Sequence, residues 1–186
     1  MKTITSDLRT ALDLRQCTWK PTEQDQAFID LIFSADFPWY FQQGLAPQYW
    51  ILCHAVQPRP QDIVSAYYTE CRRILDPIRR RLGYDPGDYL RIAINTTLYY
   101  PDSVADPHYD HLDLDHRNLL VYLNSTSGAT RIYRDQDLDT YVDITAEFGR
   151  AISYKGLHTS GFPQPRQRRT VLVATFEIVT GKDGPN

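Results

Sequence analysis

The spacing of apolar positions changes near residue 88 and divides the chain in two. Before that point the helical period dominates. Thr22 is placed to cap a helix, with Glu23 and Asp25 favouring its positive end. Ala27, Phe28, Leu31 and Ile32 then recur at helical spacing, and Pro38 should stop the helix by Asp36. Residues 37–60 hold four prolines and many aromatics, which predicts irregular chain with one short strand. Gln61–Gly83 carries the longest helical stripe, formed by Ile63, Tyr67, Cys71, Ile74, Ile78 and Leu82. Pro77 should kink or split that helix. Arg72, Arg73, Arg79, Arg80 and Arg81 fall mostly off the stripe and read as a solvated face.

From Tyr89 onward the pattern is one of short strands. Candidates are Leu90–Tyr100, His108–His111, Asn118–Asn124, Ala129–Arg134, Thr140–Val142, Arg150–Tyr154 and Arg168–Val179, separated by Pro, Gly, Ser and Asp turns. Such a run predicts a mostly β protein, a sandwich or barrel with the N-terminal helices packed outside. The expected organisation is a single domain of 186 residues. In it 1–88 forms a helical and irregular support, 89–179 the β core and 180–186 a frayed tail.

Composition narrows the classes without choosing one. An apolar share of 42% and a charged share of 23% are those of an ordinary globular chain. The net charge of −3 disfavours, without excluding, a nucleic-acid partner. Cys17, Cys53 and Cys71 form no CxxC pair, so neither a disulfide scaffold nor a structural zinc site is expected. The opening MKTITSDLRTALDLRQ has no apolar signal core, and no window approaches the ~20 apolar residues of a membrane helix. These features predict a cytoplasmic protein with reduced thiols and no membrane partner.

Chemistry concentrates in two places. DPHYDHLDLDHR holds three of the five histidines and several aspartates, and KGLHTSG holds His158. On an extended strand His108 and Asp110 point to one face. With His158 they would supply two imidazoles and one carboxylate, the facial triad of non-haem iron(II) oxygenases, leaving positions open for a chelating co-substrate and O2. Arg168 follows His158 by ten residues at the start of an apolar strand, and Thr170 shares its face. An arginine on an inner strand face is costly unless it meets an anion, and its planar fork matches a carboxylate. The remote carboxylate of 2-oxoglutarate is the natural partner.

Residues 89–178 resemble the double-stranded β-helix, a jelly-roll or cupin-like core, of the 2-oxoglutarate/iron(II) dioxygenases. The likeness is to the prolyl-hydroxylase-like branch and to small phage-type members. It is carried by YYP at 99–101, PHYD at 107–110, RNLLVYLN at 117–124, Gly128 with Thr130, GRAISYKGLH at 149–158 and PQPRQRRTVLVATF at 163–176, in matching order and spacing. FPWY at 37–40 is similar to the phage-type members.

The resemblance implies iron(II) at His108, Asp110 and His158. It implies 2-oxoglutarate at Arg168, assisted by Thr170 and the hydroxyl of Tyr122, with Tyr99 lining the pocket. It also implies O2 as oxidant, and hydroxylation of a small molecule or peptidyl side chain with release of succinate and CO2. Asp102 stands where the family commonly has Gly, and a single Gly128 replaces a Gly-Gly pair.

Two choices stay open at this level. His111 and Asp113 also fit HxD, though 108/110 better preserves the distance to VYLN, and Arg169 competes with Arg168. Two other functions fit the same β core: a cupin-like metal enzyme without 2-oxoglutarate, and a non-catalytic binding module. No GxSxG, Walker loop, GxGxxG after a strand or HExxH is present. His111 and His116 read as exposed or supporting residues and His54 as structural.

Overall fold

A computed structural model describes residues 10, 12–43, 50–85, 87–101, 105–134 and 137–177. Helix α1 spans Glu23–Phe33 and begins as the sequence predicts. The Asp25 N–H donates to Thr22 Oγ1 at 3.2 Å, and the Thr22 N–H donates back to Asp25 Oδ2 at 2.9 Å. This reciprocal capping box satisfies two of the N–H groups a helix start leaves unpaired. Helix α2 spans Tyr68–Arg81, starting later than Gln61. The backbone before it turns at Gln61, which has φ 64, and Ile63 is exposed. Pro77 lies inside α2 without splitting it.

The strands are β1 Arg15–Thr18, β2 Tyr40–Gln43, β3 Trp50–Gln57, β4 Arg91–Leu98, β5 Arg117–Tyr122, β6 Thr126–Arg134, β7 Asp137–Ala146, β8 Arg150–Tyr154, β9 His158–Ser160 and β10 Arg168–Phe176. All pairings are antiparallel. They form a seven-stranded sheet in the order β1-β8-β5-β10-β4-β3-β2 and a three-stranded sheet in the order β7-β6-β9. Residues 1–88 therefore do more than support the β core. They supply β1 at one edge of the large sheet and the β2–β3 hairpin at the other, where a single short strand was expected. Edge strand β1 is mostly exposed and lacks the apolar alternation that marks a strand.

Each face of the large sheet has its own core. On one face Ile92, Ile94, Leu119, Val121, Leu172 and Phe176 share a cluster with Phe28, Ile29 and Ile32 of α1 and Ile74, Leu75 and Ile78 of α2. On the other, Leu120, Tyr122, Tyr154, Val171 and Val173 pack with Ile132, Val142 and Ile144 of the small sheet. Along β10 the faces alternate. Leu172 and Ala174 meet the helices, while Val171 and Val173 meet the small sheet. A one-residue offset there exchanges inside and outside.

The arginines of α2 are not simply solvated. Arg79 is buried, donates to the carbonyls of Gly87 and Asp88, and lies over the Phe176 ring at 4.1 Å. Arg81 donates to the Thr18 carbonyl of β1. Arg72 grips Asp76 within the helix, and Arg73 Nε donates to Asp25 Oδ1 at 2.8 Å, joining the two helices.

Asp25 is thus buried but serves a cap and an interhelical ion pair at once. Burial pushes its carboxyl up, but Arg73 and the Thr22 contacts outweigh this and hold it below the ordinary carboxylate range. Its stabilisation is present above the unfolded value of about 3.9 and is lost as pH falls through the lower folded value. Asp25→Asn should cost about 1–2 kcal/mol at pH 7, the partial exposure of Arg73 limiting the ion-pair share. Urea unfolding of the two proteins should begin to converge as the pH falls below the unfolded value of about 3.9 and meet only below the lower folded value; curves that stay parallel would show that the charge is immaterial.

Candidate functional site

The segment His108–His111 is not a strand. Only His108 pairs, in an isolated bridge to His158. The His108 N–H donates to the His158 carbonyl at 2.9 Å, and the His158 N–H donates to the His108 carbonyl at 3.1 Å. The bridge sets the two imidazoles side by side, ring centres 4.5 Å apart. Each ring also points its Nδ1 at a carbonyl two residues earlier, Asp106 for His108 and Gly156 for His158, both at 3.2 Å. A carbonyl can only accept, so Nδ1 carries the proton in both rings and each Nε2 lone pair is free. Asp110 Oδ2 lies 3.4 Å from His158 Nε2. One ligand atom from each of His108, Asp110 and His158 falls within 4.8 Å of the others, a separation at which three donors can share one ion.

The electrostatics suit a cation. Burial pushes His158 down to about 4 against the opposing pull of Asp110, so it is neutral at ordinary pH. Asp110 is raised by burial, but His158, Arg91 and His108 outweigh that and keep it below the usual carboxylate range. Arg91, the first residue of β4, donates to Asp110 Oδ1 at 3.2 Å and leaves Oδ2 toward the histidines. The alternative pair fails geometrically. Asp113 is exposed, and His111 Nε2 is bonded to Thr175 Oγ1 at 2.8 Å. His116 is buried, contrary to an exposed reading, and its Nδ1 donates to the Leu114 carbonyl. His54 is structural, held between the Pro38 carbonyl and Ser65 Oγ.

The triad opens on a cavity of about 390 Å³ between the two sheets. The side chains on its deeper wall are not those expected from the sequence. Arg168 faces the helices, donating to the Phe33 carbonyl and lying over the Phe33 ring at 4.3 Å. Thr170 shares that face and bonds Thr96 Oγ1 at 2.8 Å. Tyr99 is 47% exposed and lies outside the cavity. Arg169 instead enters the cavity and is 1% exposed. Its Nη2 donates to Thr130 Oγ1 at 2.5 Å, and its guanidinium lies 5.4 Å from the Tyr122 ring centre.

No carboxylate pairs with Arg169 among the described residues, and its Nε has no hydrogen-bond partner. Tyr122 stands behind the cavity wall and donates its hydroxyl to Thr130 Oγ1 at 2.6 Å. Thr130 therefore accepts two hydrogen bonds, and its own proton is free to serve a ligand beside Arg169.

Gly128 makes room for this arginine. A Cβ there would lie 2.8 Å from the Gly161 carbonyl oxygen and 3.0 Å from Arg169 Cδ. Tyr154, Asn95 and Arg91 also line the cavity without having been singled out in the sequence. Thr130 appears in a quoted motif, but the sequence assigned it no task. The alternation within β4 could have placed Asn95 with Thr97 on one face; nothing local marks Tyr154 as a cavity residue rather than core.

No protein-family model matches the chain, and no curated protein matches it by sequence. Solved structures do. An oxidoreductase of the 2OG-Fe(II) oxygenase family from Burkholderia pseudomallei aligns at 18% identity and TM-score 0.61, over 81% of this chain and 77% of its own. A prolyl-4-hydroxylase from Pseudomonas putida aligns at 15% identity and TM-score 0.59, over 92% and 95%. The epimerase SnoN, in complex with Fe3+, alpha ketoglutarate and nogalamycin RO, aligns at 10% identity and TM-score 0.62, over 91% and 80%. With two antiparallel sheets enclosing a cavity and helices Glu23–Phe33 and Tyr68–Arg81 beside them, the chain has the fold of the 2-oxoglutarate/iron(II) oxygenases.

Proposed function

We propose that this protein is an iron(II)- and 2-oxoglutarate-dependent oxygenase. It hydroxylates a small molecule or a peptidyl side chain with O2, releasing succinate and CO2. The observation that carries the reading is one cavity lined by His108, Asp110, His158 and a buried Arg169 that no carboxylate among the described residues pairs. Two imidazoles and a carboxylate fit a divalent iron and leave its other positions open. An unpaired guanidinium with a free Thr130 proton fits a carboxylate. A dicarboxylate with a keto acid at one end satisfies both sites at once. The structures of similar fold support this, since one contains Fe3+ with alpha ketoglutarate.

Bound iron and 2-oxoglutarate would supply the activation of O2 and the oxidation itself. The protein's residues do the rest. The carbonyls of Asp106 and Gly156 fix both histidine tautomers, and Arg91 holds one oxygen of Asp110 so that the other faces the metal position. Arg169 and Thr130 orient the co-substrate from its far carboxylate. Val171, Val173 and Leu120 line the wall between and limit water. Tyr109, Phe162, Gln42 and Ile51 also line the cavity and leave an opening suited to a small molecule or one side chain rather than a paired duplex. Among the described residues no helix is long and apolar enough to cross a membrane. We place the protein in the cytoplasm, with its three thiols unpaired.

Anaerobic titration with Mn(II), followed by the loss of free-ion paramagnetic signal, should reveal one site. His108→Ala, Asp110→Ala and His158→Ala should each weaken it at least about tenfold, the loss of one ligand or its support. Retained affinity in all three would remove the metal assignment. Arg169→Leu should weaken 2-oxoglutarate binding to the iron-loaded protein by roughly a hundredfold, through lost charge-assisted bonds. Arg168→Leu, on the opposite face, should leave it within about threefold, less than one such bond is worth. The reverse ranking would restore Arg168 as the anchor. A panel of amino acids, small metabolites and peptides should contain a compound that raises succinate release above the uncoupled rate and gains one oxygen atom. Its product identifies the reaction.

A further inference from the structure

Tyr154 ends β8, and its side chain is on the inner face of the large sheet with Tyr122 and Ile152. It is 0% exposed, yet its hydroxyl has no hydrogen-bond partner among the described residues. Asn118 sits opposite it in the β5–β8 register, but both amide atoms of Asn118 are also unpartnered, so the two do not satisfy each other. A buried hydroxyl without a partner is destabilising, and phenylalanine would fill the same volume without that cost. The position therefore carries an O–H that the folded protein alone does not use.

Its placement says what could use it. The ring stands edge-on to His158, centres 5.1 Å apart and planes at 67°. Tyr154 lines the same cavity as Asp110 and Arg169, near enough that the charges of both act on its hydroxyl. A ligand spanning those two side chains passes close to it. We infer that Tyr154 touches the co-substrate, its hydroxyl donating a hydrogen bond to an oxygen at the metal end of 2-oxoglutarate. This rests on the proposed function. It adds a third donor to the site, on a strand that contributes neither a metal ligand nor the carboxylate anchor.

A structural role makes the opposite demand. If an ordered water joined Tyr154 to Asn118, removing the hydroxyl would weaken the ligand-free protein. Tyr154→Phe separates the two. Wild type, Tyr154→Phe and Arg169→Leu are compared by thermal melting without ligand, by Mn(II) affinity alone, and by calorimetric titration of 2-oxoglutarate into the anaerobic iron-loaded protein. Tyr154→Phe should melt at or above the wild-type temperature and bind Mn(II) within about twofold of it. It should bind 2-oxoglutarate ten- to a hundredfold more weakly, the range expected for one bond to a charged acceptor.

Unchanged 2-oxoglutarate affinity overturns the inference. A melting temperature several degrees lower, or failure to fold, overturns it in favour of the water-bridged structural role. If the wild type binds 2-oxoglutarate and Arg169→Leu does not, while Tyr154→Phe matches the wild type, only this inference falls. If the wild type itself binds no better than Arg169→Leu, the proposed function falls with it.

Discussion

The two backbone hydrogen bonds between His108 and His158 are the constraint on which the candidate site depends. They join residues fifty positions apart through main-chain atoms, so the juxtaposition of the rings does not rely on side-chain packing. Because the pair exchanges both N–H···O bonds, the side chains leave from the same side of the bridge. Asp110, two residues beyond, then needs no strand of its own. Arg91 draws its carboxylate into place. A loop is held as firmly as a strand would hold it, but only at the residue that matters.

The second constraint is the burial of Arg169. A guanidinium taken out of water needs an opposite charge or dense hydrogen bonding, and here it has two hydroxyl contacts and an aromatic face. Gly128 leaves room for its side chain, since a Cβ there would lie 3.0 Å from Arg169 Cδ. Tyr122 and Arg169 both donate to Thr130 Oγ1, so the two hydrogen bonds converge there and leave the Thr130 proton to donate onward. Such an arrangement is incomplete without an anion, whereas the ion pairs of Asp25, Asp76 and Asp143 are already closed.

How much of this was legible depends on whether a segment is buried on one face or two. Helix α1 was readable from its cap and stripe because solvent occupies its other side. The clustering of His108, Asp110 and His158 was readable because HxD and a distant His are side chains that need not serve an ordinary core. The arginine that faces the cavity was placed one residue early for a definite reason. β10 is buried on both faces, with the helices on one and the small sheet on the other, so its apolar run lacks the alternation that would separate Arg168 from Arg169. Counting ten residues from His158 picked a face that only the register with β4 and β5 determines. Strands β1 and β2 were missed for the opposite reason. They are edge strands whose exposed residues carry no apolar period, and what pairs them is the tertiary neighbour rather than their own sequence.

The same two-sided burial explains why the site sits where it does. The helix-facing side of the large sheet is filled by a continuous apolar cluster, and the arginine that falls there, Arg168, escapes to its edge against Phe33. The inner side is filled by the small sheet only toward Ile132, Val142 and Ile144. Beyond them the sheets leave a gap, and three of the buried polar atoms without partners among the described residues belong to side chains that line it: Arg169 Nε, the Tyr154 hydroxyl and Asn95 Oδ1. Each costs stability in the ligand-free fold. Their convergence on one gap makes the cost a property of the site, recoverable by whatever binds there through the linkage of binding to folding. Leucine at 169 and phenylalanine at 154 would fit a sequence selected for stability alone; the residues present fit one selected to hold a charged ligand between two sheets.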